Sequence, residues 1–153
     1  MRASRSVLAM CFGVAGVLAI AGSAAADANP TEFTYRAGMN GAMEAPGPGD
    51  PNGSGKATIT ADTETGEICF ALVVRNIEPA TAAHIHEAEK GSPGPVVVTL
   101  APPTNGSSSG CVLDAAQAQA IAANPSGYYV NVHNADFPDG AVRGQLHGRP
   151  DRS

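Results

Sequence analysis

Beyond about residue 30, apolar and polar residues alternate in short runs. Phe33 and Tyr35 alternate with polar neighbours over residues 31–37, and Ala57, Ile59 and Ala61 do so over 56–61. Ile68, Phe70, Leu72 and Val74 alternate over 67–75, and further runs cover 81–86, the Val-rich 95–100, 128–133 and 141–147. A period of two places every second side chain on one face of an extended strand, so each run predicts a half-buried β-strand. Gly, Pro, Asn and Asp separate the runs, as they do in sandwiches and barrels. Residues 46–55 and 102–110 are too rich in these breakers for a core element and are expected as exposed loops, with Ser107, Ser108 and Ser109 as linker. Asp139-Gly140, after Phe137-Pro138, predicts a tight turn between the last two strands. One helix is expected over 115–123, capped by Asp114 and stopped by Asn124-Pro125. The pattern contains no internal repeat. The fold class expected is all-β: a Greek-key-like antiparallel β-sandwich with long loops and one short helix.

The first 26 residues follow a different pattern. Arg2 and Arg5 precede an apolar run over 7–20 broken only by Gly13 and Gly16, and Ala24-Ala25-Ala26 follows. A basic start, an apolar stretch and an Ala-x-Ala site predict a secretory signal peptide cleaved after Ala26. The run is shorter than the ~20 apolar residues of a membrane span. Cys11 is poorly placed for lipid attachment, lying inside the apolar run behind Met10. The expected mature chain is one domain over 27–153, with an ordered core over 30–148 and a frayed tail, and its expected location is extracellular. Loss of Arg2 and Arg5 leaves seven basic residues against fourteen acidic ones, a formal charge of −7. That balance argues against nucleic acid and against an anionic membrane as partners.

Cys11 departs with the leader, so Cys69 and Cys111 remain. Two cysteines in an oxidising compartment most simply pair. Their Cα atoms are then expected about 4.4–6.8 Å apart.

The candidate chemistry lies in Ala82-Ala83-His84-Ile85-His86 and Asn131-Val132-His133. On a strand His84 and His86 share one face while Ile85 points to the core. In the second strand Val130 and Val132 take the core phase, which places Tyr129, Asn131 and His133 opposite. A His-x-His pair plus a third His on another strand is a geometry suited to a transition metal. Arg143, Gln145 and His147 share a phase in the last strand, so His147 is a fourth candidate ligand. Asn131 and Arg143 are candidate supports for the ligands, Arg143 by pinning the closing hairpin or a loop, or by guiding anions. The rival reading has the histidines solvated or bonded to loop backbone. Met39 and Met43 are read as core filler rather than soft ligands. Nucleophile-elbow, phosphate-loop and dinucleotide motifs are absent from the sequence.

The chain resembles the CHRD domain, the module repeated in the animal protein chordin and common in secreted bacterial proteins. Gly41-Ala-Met-Glu-Ala-Pro46 resembles the family's Gly-x-x-Glu-x-Pro element, and Gly53-Ser-Gly-Lys-Ala57 its next strand entry. Thr81-Ala-Ala-His-Ile-His86 resembles its central Ala-His-Ile-His motif, and Gly91-Ser-Pro-Gly-Pro-Val-Val-Val98 the run after it. Tyr129-Val-Asn-Val-His133 with Gly140-Ala-Val-Arg-Gly-Gln-Leu146 resembles the closing signature. Ala88 departs from the pattern, since the family often has Gly soon after the His pair. The resemblance implies a β-sandwich and extracellular placement, and no settled activity. The His-x-His plus His pattern is also similar to the copper site of Cu/Zn superoxide dismutase, without an equivalent of its zinc loop. Three functions stay open: a metal-binding protein with copper favoured at His84, His86 and His133; a copper-only dismutase-like redox enzyme; and a metal-free module with a structural role or an extracellular protein partner.

Overall fold

The computed structural model describes residues 31–148. The predicted signal peptide and the last five residues lie outside that range. Eight strands follow one another: β1 (Glu32–Asn40), β2 (Ser54–Asp62), β3 (Glu67–Arg75), β4 (Ala80–Glu87), β5 (Val96–Leu100), β6 (Ser107–Leu113), β7 (Tyr128–Asn134) and β8 (Val142–Gln145). One helix, α1 (Ala115–Ala123), separates β6 from β7. Asp114 caps it by accepting from the Gln117 amide at 3.0 Å, and the chain leaves it at Asn124-Pro125 as the breakers dictate.

All neighbouring strands pair antiparallel, in the order β5-β4-β7-β8-β1-β2-β3-β6. The expected all-β, antiparallel architecture is therefore observed, as one curled eight-stranded sheet where the sequence reading expected a sandwich. Ser108 Oγ donates to the Ala101 carbonyl at 2.7 Å, tying the β6 edge to the end of β5, so the sheet nearly closes. The β3–β4 and β6–β7 connections pass over intervening strands, which makes the topology Greek-key. Alternation fills the interior: Ile59, Ile68, Leu72, Ile85, Val130 and Val132 are all at most 1% exposed. Ala118 and Ile121 of α1 join this core, and Tyr35 Oη donates to the Ala122 carbonyl.

One expected loop is a strand. Residues 107–110, read as the end of the 102–110 loop, belong to β6, which pairs with β3 from Val73↔Ser107 to Glu67↔Leu113. Serine and glycine have little strand propensity of their own. Here β3 offers an otherwise unpaired edge, and Cys69 lies directly opposite Cys111. These two cysteines form a disulfide. Their Cα atoms are 4.0 Å apart, just below the expected window; direct opposition on adjacent antiparallel strands already favours the short end of that range.

The sheet face that alternation leaves outside the core is covered as well. Residues 41–53, between β1 and β2, and residues 88–95, between β4 and β5, fold back over β4, β7 and β8. Gln145 Nε2 donates to the Ala88 carbonyl and Arg143 Nη2 to the Glu89 carbonyl. Asp50 N donates to the Ala141 carbonyl from the other side. As a result Tyr129, Asn131 and Arg143 are buried despite their outward phase. The turn over β4 takes its left-handed residue at Gly91 (φ 84°), so Ala88 is spared that conformation. No helix among the described residues is long and apolar enough to cross a membrane.

Candidate metal centre

Register brings the histidines together. Strand β4 pairs with β7 so that His84 faces Asn131, His86 faces Tyr129 and Ala82 faces His133. His133 thus stands one row from His84 on the same face. The ring centroids of His84 and His133 are 4.9 Å apart, those of His84 and His86 5.6 Å, and those of His86 and His133 6.5 Å. One nitrogen from each ring lies within 4.8 Å of the other two. An ion about 2.1 Å from each nitrogen holds any two of them within about 4.2 Å, so the widest pair has little distance to close.

Backbone carbonyls decide which nitrogens face inward. His86 Nδ1 is 2.9 Å from the Gly94 carbonyl, and His133 Nδ1 is 2.9 Å from the Pro138 carbonyl. A carbonyl only accepts, so both Nδ1 atoms carry hydrogen and both Nε2 atoms of the neutral rings are bare. His86 Nε2 is buried without a partner. His133 Nε2 lies 3.1 Å from His84 Nδ1 and 3.0 Å from Asn131 Oδ1. The set presented inward is therefore His84 Nδ1, His86 Nε2 and His133 Nε2. Gly94 serves this arrangement, because a side chain there would run into the Glu87 carbonyl.

Burial lowers the pKa of His84, and the neighbouring His133 and His86 lower it further. Burial also lowers that of His133, partly offset by the Pro138 carbonyl and Asp139. Neutral rings are the ligating form.

Arg143 touches none of the three rings directly. Its guanidinium carbon sits 3.4 Å from the centre of the Tyr129 ring, and Tyr129 stacks on His86 with 4.7 Å between centroids. Tyr129 Oη accepts from the Gly94 amide, so this stack and the 88–95 turn brace His86 together. At 1% exposure Arg143 is too deeply covered to meet a diffusing anion; its contacts are those of a loop anchor.

His147 stays apart from the group. It bridges to Arg36 of β1, and its Nδ1 lies 3.3 Å from the Gln145 carbonyl. Continuing the β7–β8 register from Val132↔Val142 sets His133 opposite Ala141. The six residues from there to His147 span about 20 Å at ~3.4 Å each. Shared strand phase says nothing of position along the strand, and His147 lies beyond the end of β8.

Glu44 lies beside the site without having been singled out from the pattern. Its carboxylate packs on Gly140, where an added Cβ would come within 2.6 Å of all three carboxylate atoms, and its Cγ lies over Gly49. Gly140 has φ 143°, so both its conformation and this contact require glycine. Burial raises the Glu44 pKa to about 7, against the opposing pull of Arg143 and of hydrogen bonding from Asn131. Its position in the Gly-x-x-Glu-x-Pro element was the available signal. The segments that carry the family resemblance therefore converge here: Glu44 from the first, His84 and His86 from the third, Gly94 from the fourth, and Asn131, His133, Gly140 and Arg143 from the last.

Comparison with curated proteins and with solved structures gives no match. The family model of the CHRD domain matches residues 35–146, which include every strand that builds the site, and the chain belongs to the CHRD domain family.

Proposed function

We propose that this domain binds one transition-metal ion, copper in preference to zinc, through His84, His86 and His133. The observation that carries the reading is the bare, buried and unpartnered His86 Nε2, whose orientation is set by the Gly94 carbonyl. Leaving such a group unpaired costs about 1–3 kcal/mol, and a cation shared with the other two rings would remove that cost. His84 Nδ1 lies 3.1 Å from the bare His133 Nε2, so in the metal-free protein the hydrogen of a neutral His84 can bridge the two rings at the place an ion would occupy. Imidazole ligands suit copper and zinc, and Cu(II) binds most tightly among the common divalent ions. Each of His86 and His133 already has its far nitrogen held by a carbonyl, as ligating histidines generally do. The Cys69–Cys111 disulfide and the leader expected from the sequence support an oxidising, extracellular setting for this chemistry.

Calorimetric titration of the domain with Cu(II) tests the reading. One site per chain is expected, and His86→Ala should abolish it. Equal weak binding by both proteins would leave the histidines as internal hydrogen-bonding groups of a structural or protein-binding module. His84 and His133 are partly exposed, and three protein ligands leave a coordination position free, which favours redox catalysis of dismutase type as the second reading. Superoxide consumption by copper-loaded protein, lost in His86→Ala, distinguishes it from storage or transfer of the ion.

A further inference from the structure

We propose that the outer face of β1, β2, β3 and β6 docks against the same face of a second copy of this chain, the two related by a two-fold axis. This surface is separate from the histidine face on β4, β7 and β8, and it does not depend on the metal-binding reading. Loops cover the histidine half of the sheet. On this half Lys56, Ala71, Val73, Arg75, Ser109 and Cys111 are all exposed.

Strand register sorts the charges on this face. Glu32 stands opposite Asp62, and Glu67 opposite Leu113. Continuing the β2–β3 pairing from Ala61↔Ile68 sets Asp62 beside Glu67, so three carboxylates share one row at one end. The next two rows hold Thr34 with Thr60, and Thr58 with Ala71. Then comes Lys56 opposite Val73, and beyond it Ser54 opposite Arg75. Acid is gathered at one end and base at the other. Glu64, in the turn after β2, adds to the acidic end, and Glu78, past the end of β3, offsets part of the basic one. Arg36, between the two ends, already has an interaction of its own.

A face with acid at one end and base at the other is complementary to itself when turned over. A two-fold axis lying across the strands, between the Thr60 and Thr58 rows, carries the acidic row of each copy onto the Lys56 row of the other. The contact is made twice, as an isologous interface requires. An axis along the strands would set acid on acid, so charge selects the first arrangement. The side chains of the middle rows are short and leave nothing to hold the sheets apart. The same rotation brings Leu113, 76% exposed, beside Val73 of the second copy, 44% exposed. These are two of the four large apolar side chains exposed among the described residues. Val73 borders a cavity of about 440 Å³, with Ser54, Lys56 and Arg75 around it, which leaves room for that leucine. Four strands ~4.8 Å apart, with β2 and β3 nine residues long, offer roughly 600 Å² per copy. That total of about 1,200 Å² is the lower limit of stable interfaces, and the curl of the sheet reduces it, so the pair is a weak one.

Sedimentation velocity over a concentration series tests this. Wild type should pass from monomer to dimer between about 10 μM and 1 mM. Association should weaken about tenfold when NaCl rises from about 50 to 500 mM, because the contacts are exposed ion pairs. The acidic-end variant Glu32→Lys/Glu67→Lys and the basic-end variant Lys56→Glu/Arg75→Glu should each associate at least about tenfold more weakly, since each sets like charge over like. Mixed in equal amounts, they should pair again, because one copy of each restores opposite charges at both contacts. All four residues are exposed, so both variants should keep the wild-type circular dichroism and Cu(II) titration, which separates this result from the metal site. Wild type that stays monomeric at about 1 mM would overturn the proposal. So would a dimer indifferent to both variants, or variants that fail to pair when mixed.

Discussion

Replacing Arg143 with lysine keeps the charge and removes the planar fork, so it isolates what that geometry does. Two contacts are lost or weakened: the hydrogen bond from Nη2 to the Glu89 carbonyl at 3.1 Å, and the stack of the guanidinium on Tyr129 at 3.4 Å. A hydrogen bond from a charged donor contributes about 1.5–3 kcal/mol. A desolvated cation–π contact contributes roughly 2 kcal/mol. Lysine recovers part of each, but an ammonium is more strongly hydrated than a guanidinium and is costlier to bury, even with the Glu44 carboxyl group nearby. The net expectation is a loss of about 2–4 kcal/mol. Urea denaturation followed by circular dichroism would read it as a lower midpoint with unchanged slope. The loss should be accompanied by faster amide exchange over residues 88–95, because the Glu89 carbonyl and the Tyr129 hydroxyl that hold this turn both depend on the stack. Stability within about 0.5 kcal/mol of wild type, the range of an ordinary surface substitution, would show that Arg143 does not anchor the loop.

Metal-free stability should depend on pH through opposing groups. His84 and His133 have lowered pKa values, so the unfolded chain binds protons that the folded one refuses, and stability falls as pH drops below about 6.5. Glu44 runs the other way. Its folded pKa of about 7 lies above its unfolded value, so its contribution is full below about pH 4.3 and is lost as pH rises through 7. Glu44→Gln should therefore stabilise the apo protein at pH 8, by about 1–2 kcal/mol after allowance for partial exposure, and change little at pH 5; urea midpoints at both pH values check it. Replacing both Cys69 and Cys111 by serine opens a loop of 42 positions. By chain entropy this should cost roughly 4 kcal/mol, seen as a lower urea midpoint. Gly140→Ala forces φ 143° on a residue with a Cβ and drives that Cβ into the Glu44 carboxylate. It should destabilise by about 1–3 kcal/mol and weaken Cu(II) binding, whereas weakened stability with unchanged affinity would separate the Glu44–Gly140 contact from the site.

Strand parity carried much of the reading from sequence because it is local. Knowing that Ile85, Val130 and Val132 face inward fixes the face of His84, His86 and His133 without knowing which strands are neighbours. Parity does not say which row a residue occupies. His147 shares a phase with Arg143, yet the β7–β8 register carries it far along the strand from His133. Strand β6 was hidden for a related reason: its serines and glycine have weak preferences of their own, and pairing to β3 supplies what propensity lacks. Glu44 was hidden because its role arises from a loop folding back onto a distant strand, a contact that no periodicity encodes.

Loop coverage also changes the chemistry of the histidine face. On an open sheet, outward imidazoles would exchange water freely, and their far nitrogens would lack fixed partners. Here residues 88–95 bring the Gly94 carbonyl to His86, and the β7–β8 connection brings the Pro138 carbonyl to His133. Each carbonyl fixes a tautomer and aims a bare nitrogen at the same small volume. Arg143 and Gln145 bind the first loop to the sheet, and the Asp50–Ala141 bond holds the loop that carries Glu44. The alternation along the strands thus determines which residues can meet. The Gly- and Pro-rich segments between them determine which atoms those residues present. On this account, shortening the 88–95 turn should leave the core intact and release His86 from Gly94. Cu(II) affinity should then fall while the urea midpoint changes by less than in Arg143→Lys, because the turn packs on the polar layer and contributes little to the apolar core. A deletion that lowered stability as much as Arg143→Lys, with Cu(II) affinity unchanged, would mean that the loop serves the fold and not the ligands.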